Sequence, residues 1–213
     1  MSGTCKPETH TDLGDLADFA VIVLAAGRPQ RMGARNKLLE SVAGKPLLAH
    51  ALETIGTLAP GELIVVTGHE RGPVENLASG YAARLVHNAS YREGMGTSLA
   101  CGAGAVNDRA KGVFIHLGDV PFVSASTYQA LASALAAERN RAIEVFVPVH
   151  GGVRGHPVLF RREVLPRLCE LRGDEGARRV IGEHRCLEVN VSDPNIARDI
   201  DTAADLVAVT SRS

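Results

Sequence analysis

The sequence predicts an α/β protein: a single-domain, doubly wound and mostly parallel sheet, with a small partly antiparallel lobe. Two observations carry that prediction. Short β-branched apolar runs, suited to burial on both faces of a parallel sheet, alternate with helix-length segments of 3.6-residue periodicity through most of the chain. The alternation then breaks after Gly151, where a Gly-Gly turn and shorter strands take over. At 213 residues and 45% hydrophobic, the chain is long enough to bury one substantial core, and no repeat or low-complexity linker divides it. The expected boundaries are an N-terminal tail over residues 1–18, one domain over 19–209, and a short tail over 210–213.

In order, residues 19–24 read as a buried strand, 47–58 as a helix, 63–67 as a strand ended by Gly68, and 73–79 as a short helix. A strand at 83–87 leads to a small-residue helix at 97–106, weakened by Gly102 and Gly104. Residues 112–117 are the clearest later strand, followed by an Ala/Leu-rich helix over 124–138 with Ser124 at its N-cap position. Strands at 143–149, 157–160 and 186–191 and helices at 164–171, 175–184 and 203–209 complete the pattern.

A net charge of −1 excludes the global basic surface by which proteins neutralise a nucleic-acid backbone. Any phosphate site must be local, made of a few cations and backbone N–H groups. Cys5, Cys101, Cys169 and Cys186 lack metal-ligand spacing and read as thiols of a reducing compartment. No apolar run is long enough to span a bilayer, and residues 1–18 carry acids where a signal peptide needs an apolar stretch. The expectation is a cytoplasmic domain behind a loose tail, with no membrane or nucleic-acid partner.

The most informative segment follows the first strand: Leu24, Ala25, Ala26 and Gly27, then Pro29, Arg31, Gly33 and Lys37. It leaves the carboxyl end of the sheet, where open α/β folds bind ligands. Its small residues let consecutive N–H groups surround phosphate oxygens, and Arg31 and Lys37 add local positive charge. It is neither a G-x-G-x-x-G fingerprint nor a Walker A loop. Taken alone, a glycine followed by an arginine is more often a surface turn with solvated cations. Asp119, just past the strand at 112–117, should emerge at the same edge, although an Asp before Pro121 is equally a common turn device.

These residues resemble the signature of the molybdenum cofactor nucleotidyltransferases, within the wider nucleotidyltransferase superfamily, and matches continue in the same order downstream. They are Val-Thr-Gly-His at 66–69, Asn88 with Gly-Met-Gly-Thr-Ser-Leu at 94–99, and Leu-Gly-Asp-Val-Pro at 117–121. Gly-His-Pro-Val-Leu-Phe at 155–160, Gly-Asp-Glu-Gly-Ala at 173–177 and Asp-Ile-Asp-Thr at 199–202 follow. The resemblance covers residues 19–209 and is nearest to the cytidylyltransferases that make molybdopterin cytosine dinucleotide. One departure is Pro29, where a small residue is usual; proline lacks an N–H, so one phosphate donor is missing.

The resemblance implies a Rossmann-like nucleotidyltransferase fold and Mg²⁺-dependent transfer of a nucleotide from CTP to the phosphate of a molybdopterin-type acceptor, with release of pyrophosphate. It makes Asp119 the principal metal ligand, with Asp201 its partner and Asp199 a fallback. Lys37 and Arg31 become the groups that stabilise charge on the phosphates. Leu24, Ala25, Ala26, Gly27, Gly33, Thr67, Gly68, Asn88, Gly96 and Ser98 fall to the nucleotide, and Gly155, His156 and Pro157 to the acceptor. Ala in place of a second Gly at position 26 accompanies CTP use, worth about 1–3 kcal/mol of base discrimination. Arg154, Arg161 and Arg162 flank the acceptor motif and would meet an anionic pterin phosphate, though arginines around a turn are more often a solvated face. His156 is also readable as a packed histidine, and His69, His87 and His116 as structural ones. Three other readings stand beside this one: a GTP-using enzyme, transfer to a sugar or alcohol phosphate, and a non-catalytic accessory that hands nucleotide or cofactor to a molybdoenzyme partner.

Overall fold

The computed structural model describes residues 16–27 and 36–200. Pro29, Arg31, Gly33, Asp201, the helix expected at 203–209, Cys5 and most of both expected tails lie outside those residues. Within them the chain forms β1 (Phe19–Ala25), a 3-10 turn (Lys37–Leu39), a small hairpin of β2 (Ser41–Val42) and β3 (Lys45–Pro46), and α1 (Leu47–Thr57). Then come β4 (Glu62–Thr67), α2 (Arg71–Ala78), β5 (Arg84–His87), α3 (Met95–Ala103), β6 (Gly112–Leu117) and α4 (Ala125–Ala137). β7 (Ile143–His150), β8 (Val153–Arg154), β9 (Val158–Arg161), α5 (Leu165–Cys169), α6 (Ala177–Glu183) and β10 (Arg185–Asn190) complete the order.

The main sheet has the strand order β10-β7-β9-β6-β1-β4-β5, with β8 paired to β7. Strands β4 and β6 flank β1 in parallel, and β5 extends the parallel set beyond β4. β9 runs antiparallel to both β6 and β7, so β7 and its parallel neighbour β10 point the same way as β1. The antiparallel pairing expected after Gly151 is therefore supplied by β8 and β9, with β9 lodged inside the sheet. Gly151 and Gly152 make the turn between β7 and β8 with φ of 56° and 80°, in the region that favours glycine.

β1 shows why its residues are apolar throughout. Val21, Val23 and Ala25 enter one core with Leu48 and Leu52 of α1, Val74 of α2 and Leu131 of α4, while Ala20 and Ile22 enter a second with Leu99 of α3, Leu168 of α5 and Val180 of α6. A strand covered by helices on both faces has no polar side to show. In α1 the buried Leu47, Leu48, Ala51, Leu52 and Ile55 recur at helical spacing, which defines the face laid on the sheet. Among the described residues no helix is long and apolar enough to cross a membrane.

The start of α4 is capped differently from the sequence expectation. Ser124 sits at the N-cap position but its side chain makes no capping bond. Instead Asp193, 5% exposed, accepts from the Ser124 amide (2.7 Å), the Thr127 hydroxyl (2.9 Å) and the Asn195 amide (3.0 Å). Burial raises the Asp193 pKa, but these hydrogen bonds outweigh it and hold the carboxyl below its ordinary value. Its stabilising contribution is thus present above the ordinary carboxylate pKa and lost as acid protonates it. Asp193→Ala strands three donors and is expected to lower the unfolding free energy by about 2–3 kcal/mol. Urea denaturation at neutral pH checks this, and a loss below about 0.5 kcal/mol would contradict a capping role.

Candidate active site

The parallel strands bring their carboxyl ends to one edge. Ala25 stands beside Thr67, and Thr67 beside His87, while Leu24 pairs with Leu117. Because β9 is reversed, it is its beginning, with Gly155, His156 and Pro157 just before it, that reaches this edge. The sheet direction thus gathers Ala26 and Gly27 after β1, the residues after β4, β5 and β6, and Gly155, His156 and Pro157.

Lys37 is placed by the turn that carries it. The side chain of buried Asn36 accepts from the Leu38 amide at 3.1 Å, capping the Lys37–Leu39 turn. From there the Lys37 ammonium reaches the Asp119 carboxylate at 2.8 Å, both side chains being about a quarter exposed, at 21% and 26%. Asp119 is set by the chain leaving β6: the Gly118 amide donates to the Leu24 carbonyl, and the Val120 amide to that of Leu117, each at 3.0 Å. The Ile200 amide in turn donates to the Asp119 carbonyl at 3.0 Å. The residue preceding Asp201 in the chain is therefore fastened to Asp119.

The residues after β4 and β5 that the sequence assigns as expected nucleotide contacts are knitted together. Thr67 is fully buried and its hydroxyl donates to Glu75 at 2.9 Å. The Asn88 amide nitrogen donates to the hydroxyls of Thr97 and Ser98, both at 2.9 Å, and its oxygen accepts from the Ser90 amide. With Asn88 and Ser98 each 5% exposed, these side chains hold the loops in place. Ser98, within the first turns of α3, receives that bond. A Cβ on Gly68 would lie 2.6 Å from that of Tyr91 and 2.9 Å from that of Ala26, so only glycine fits there. Ala26, 4% exposed, turns its methyl into this contact, so it sets the spacing between the loop after β1 and the turn after β4.

In the motif expected to meet the acceptor, the His156 amide donates to the Ile196 carbonyl at 2.7 Å, and the His156–Pro157 peptide is cis. The ring is half-buried with its Nδ1 sealed from solvent and unpartnered. Burial depresses the pKa of His156; the charge of Arg178 pushes the same way, against the Ile115 carbonyl and Asp119. The three arginines expected around this motif are engaged elsewhere. Arg154 is bonded to Glu188 at 2.7 Å. Arg161 is 4% exposed, donates to the carbonyls of Ile143 and Glu138, and lies over the Phe146 ring. Arg162 pairs with Asp108. The reason is strand direction: Arg161 stands opposite Gly112, at the start of β6, so Arg161 and Arg162 emerge at the far edge of the sheet.

His116 is structural, as expected: it is buried, and its Nδ1 lies 2.9 Å from the Tyr128 hydroxyl. His87 stands 3.4 Å from the Thr67 hydroxyl and His69 faces the Tyr91 ring. Two parts of this arrangement have little signal in the sequence, Asn36 and the segment 193–198. The first has no signal beyond being a capping residue type before Lys37. The second shows in the sequence only as an Asp-Pro pair.

Lys37 and Asp119 thus converge at the carboxyl edge of a doubly wound sheet, close to the end of β1. The chain belongs to the MobA-like NTP transferase domain family, whose model matches residues 21–189. Bifunctional protein GlmU of Cutibacterium acnes is 31% identical over 166 residues, which are 77% of this chain and 40% of that protein. The chain thus spans less than half the length of that curated relative. Among solved structures, Rv0371c of Mycobacterium tuberculosis H37Rv is 26% identical with a TM-score of 0.74, covering 91% of this chain and 98% of that one. A complex of Rv0371c with manganese is 25% identical with a TM-score of 0.72, covering 92% and 100%. Molybdopterin-guanine dinucleotide biosynthesis protein A from Archaeoglobus fulgidus, 17% identical with a TM-score of 0.65 over 91% and 97% of the chains, shares the fold.

Proposed function

We propose that the chain transfers CMP from CTP to the phosphate of a molybdopterin-type acceptor, releasing pyrophosphate, in the cytoplasm. The observation that carries this reading is the convergence of Lys37 and Asp119 at 2.8 Å beside the loop after β1. Nucleotidyl transfer asks a protein to align an acceptor oxygen with the α-phosphorus and to neutralise phosphate charge. The Lys37 ammonium supplies charge at the transferred phosphoryl group, and Arg31 holds the β- and γ-phosphates. The N–H groups of Ala25, Ala26, Gly27 and Gly33 line the phosphates. Thr67, Gly68, Asn88, Gly96 and Ser98 shape the base and ribose side.

Asp119 fits a divalent cation. It is a hard oxygen donor, partly exposed at the edge, and a magnesium site needs only one or two carboxylates beside substrate phosphates. Asp201, which follows the residue fastened to Asp119, is the second ligand. Bound Mg²⁺ would polarise the phosphoryl oxygens and neutralise charge on the leaving pyrophosphate. The manganese complex of Rv0371c supports a divalent metal in this fold.

CTP is favoured by Ala26. An alanine at this position accompanies CTP use in the resembling family, and here its methyl lies against the turn at Gly68. Pyrophosphate release with Mg²⁺, molybdenum-loaded molybdopterin and each of the four nucleoside triphosphates tests the proposal. Release with CTP alone is expected. Release with GTP keeps the enzyme class and rejects the role of Ala26. Release only with a sugar or alcohol phosphate replaces the acceptor, and nucleotide binding without release under any condition points to an accessory role.

A further inference from the structure

We propose that a basic cavity at the amino edge of the sheet, the edge opposite Lys37 and Asp119, binds a small oligophosphate. The site takes no part in the transfer chemistry above and does not depend on it.

Strand direction builds the cavity. The chain enters β6 through Lys111, leaves β9 through Arg161 and Arg162, ends α4 at Ala137 and enters β7 after Arg141. β9 is antiparallel to both β6 and β7, so its end meets their beginnings. The Arg162 amide donates to the Lys111 carbonyl at 3.2 Å, and the Arg161 side chain ties the end of α4 to the start of β7. Between these segments lies a cavity of about 660 Å³, within the size range of small-ligand sites.

Its charge is lopsided. Arg109, Lys111, Arg139, Arg141, Arg161 and Arg162 line it against Asp108, Glu138 and Glu163, in a chain whose net charge is −1. Asp108 pairs with Arg162 at 2.7 Å, Glu163 stands 3.9 Å from Arg141, and Lys111 pairs with Asp18. The Glu138 carboxylate accepts from the Asn140 amide. Arg161 is 4% exposed and keeps its charge at any working pH, yet no carboxylate pairs with it among the described residues. Its Nε donates to the Ile143 carbonyl at 2.7 Å, and its Nη2 to those of Glu138 at 3.0 Å and Leu135 at 3.5 Å. Nη1 makes no hydrogen bond among the described residues. The carbonyls at the end of α4 offset part of this buried charge, and an anion in the cavity offsets the remainder.

Five of the six cations are arginines, whose planar forks match phosphate oxygens. No aromatic side chain is in the lining, so a base would have nothing to stack on, and the group recognised is the phosphate chain.

The test is calorimetric titration of tripolyphosphate in EDTA, so that metal-dependent binding is silent, into wild type, Lys37→Ala and the double variant Arg109→Gln with Arg139→Gln. Both exchanged arginines are exposed, so the fold is kept. The double variant should bind about 10- to 100-fold more weakly, with Lys37→Ala unchanged. In wild type the Nε–H resonance of Arg161 should shift on addition of tripolyphosphate. Absence of binding to wild type, equal binding by the double variant, or a loss in Lys37→Ala instead would each overturn the site. An unmoved Arg161 resonance would mean that only solvated surface charge had been titrated, and would overturn it as well. Citrate or a hepta-glutamate peptide binding as tightly as tripolyphosphate would reject the oligophosphate class, the peptide in favour of an acidic protein partner.

Discussion

Lys37→Ala lowers turnover by about 100- to 1,000-fold while the protein stays folded and binds nucleotide with affinity reduced far less. The expectation follows from where the ammonium sits. Lys37 is held at the edge by the Asn36-capped turn and paired with Asp119 at 2.8 Å, so its position is fixed before any ligand arrives. A preorganised charge acts where new charge develops and needs no reorganisation at the moment of transfer. It therefore shows in kcat more than in KM. Removing it also leaves the Asp119 carboxylate without this partner, but at about a quarter exposure that carboxylate can be solvated, and the cost in stability is about 1 kcal/mol or less. Steady-state kinetics with CTP, alongside circular dichroism, decide the matter. A folded Lys37→Ala protein with near-normal kcat would remove Lys37 from the chemistry. A loss confined to KM would make it a uniform binding residue.

The parts of this fold that were legible in the sequence are those where one physical requirement acts on a contiguous run. β1 and β6 are buried on both faces, so their apolar runs end where the strands end, at Ala25 and Leu117. α1 shows its periodicity because one face of it lies on the sheet. The candidate site was legible for the same reason: loops that leave parallel strands share an edge, so placing Gly27, Gly68, Asn88 and Asp119 after strands is enough to bring them together.

What could not be read depends on contacts remote in sequence. The apolar run at 157–160 does not encode its direction, and only the antiparallel pairing with β6 sends Arg161 and Arg162 to the opposite edge from His156. Ser124 has the residue type of an N-cap, yet a carboxylate 69 residues away takes the amide.

The unfolding free energy should fall as the pH drops below about 6.5, and a single buried histidine should account for much of the fall. His116 is buried beneath the site, its Nδ1 against the Tyr128 hydroxyl and its Nε2 sealed from solvent without a partner. Burial is the main cause that lowers its pKa to about 3; the nearby His156 adds to the effect, and the Val120 carbonyl opposes it. The folded protein keeps the ring neutral while the unfolded chain binds a proton near pH 6.5, so stability is lost between 6.5 and about 3. Each pH unit well inside that window costs about 1.4 kcal/mol. His156, also depressed chiefly by burial, acts in the same direction. Replacing His116 by Leu together with Tyr128 by Phe removes the titrating ring without stranding the phenol. Urea denaturation from pH 6.5 to 5, above the range where carboxylates dominate, should then show a pH slope shallower by about one proton than in the wild type. Other titrating groups are common to both proteins, so the difference isolates the buried ring. Equal slopes would mean that His116 takes up its proton within the folded state, through water reaching Nε2, and that the core beneath Asp119 is open to solvent.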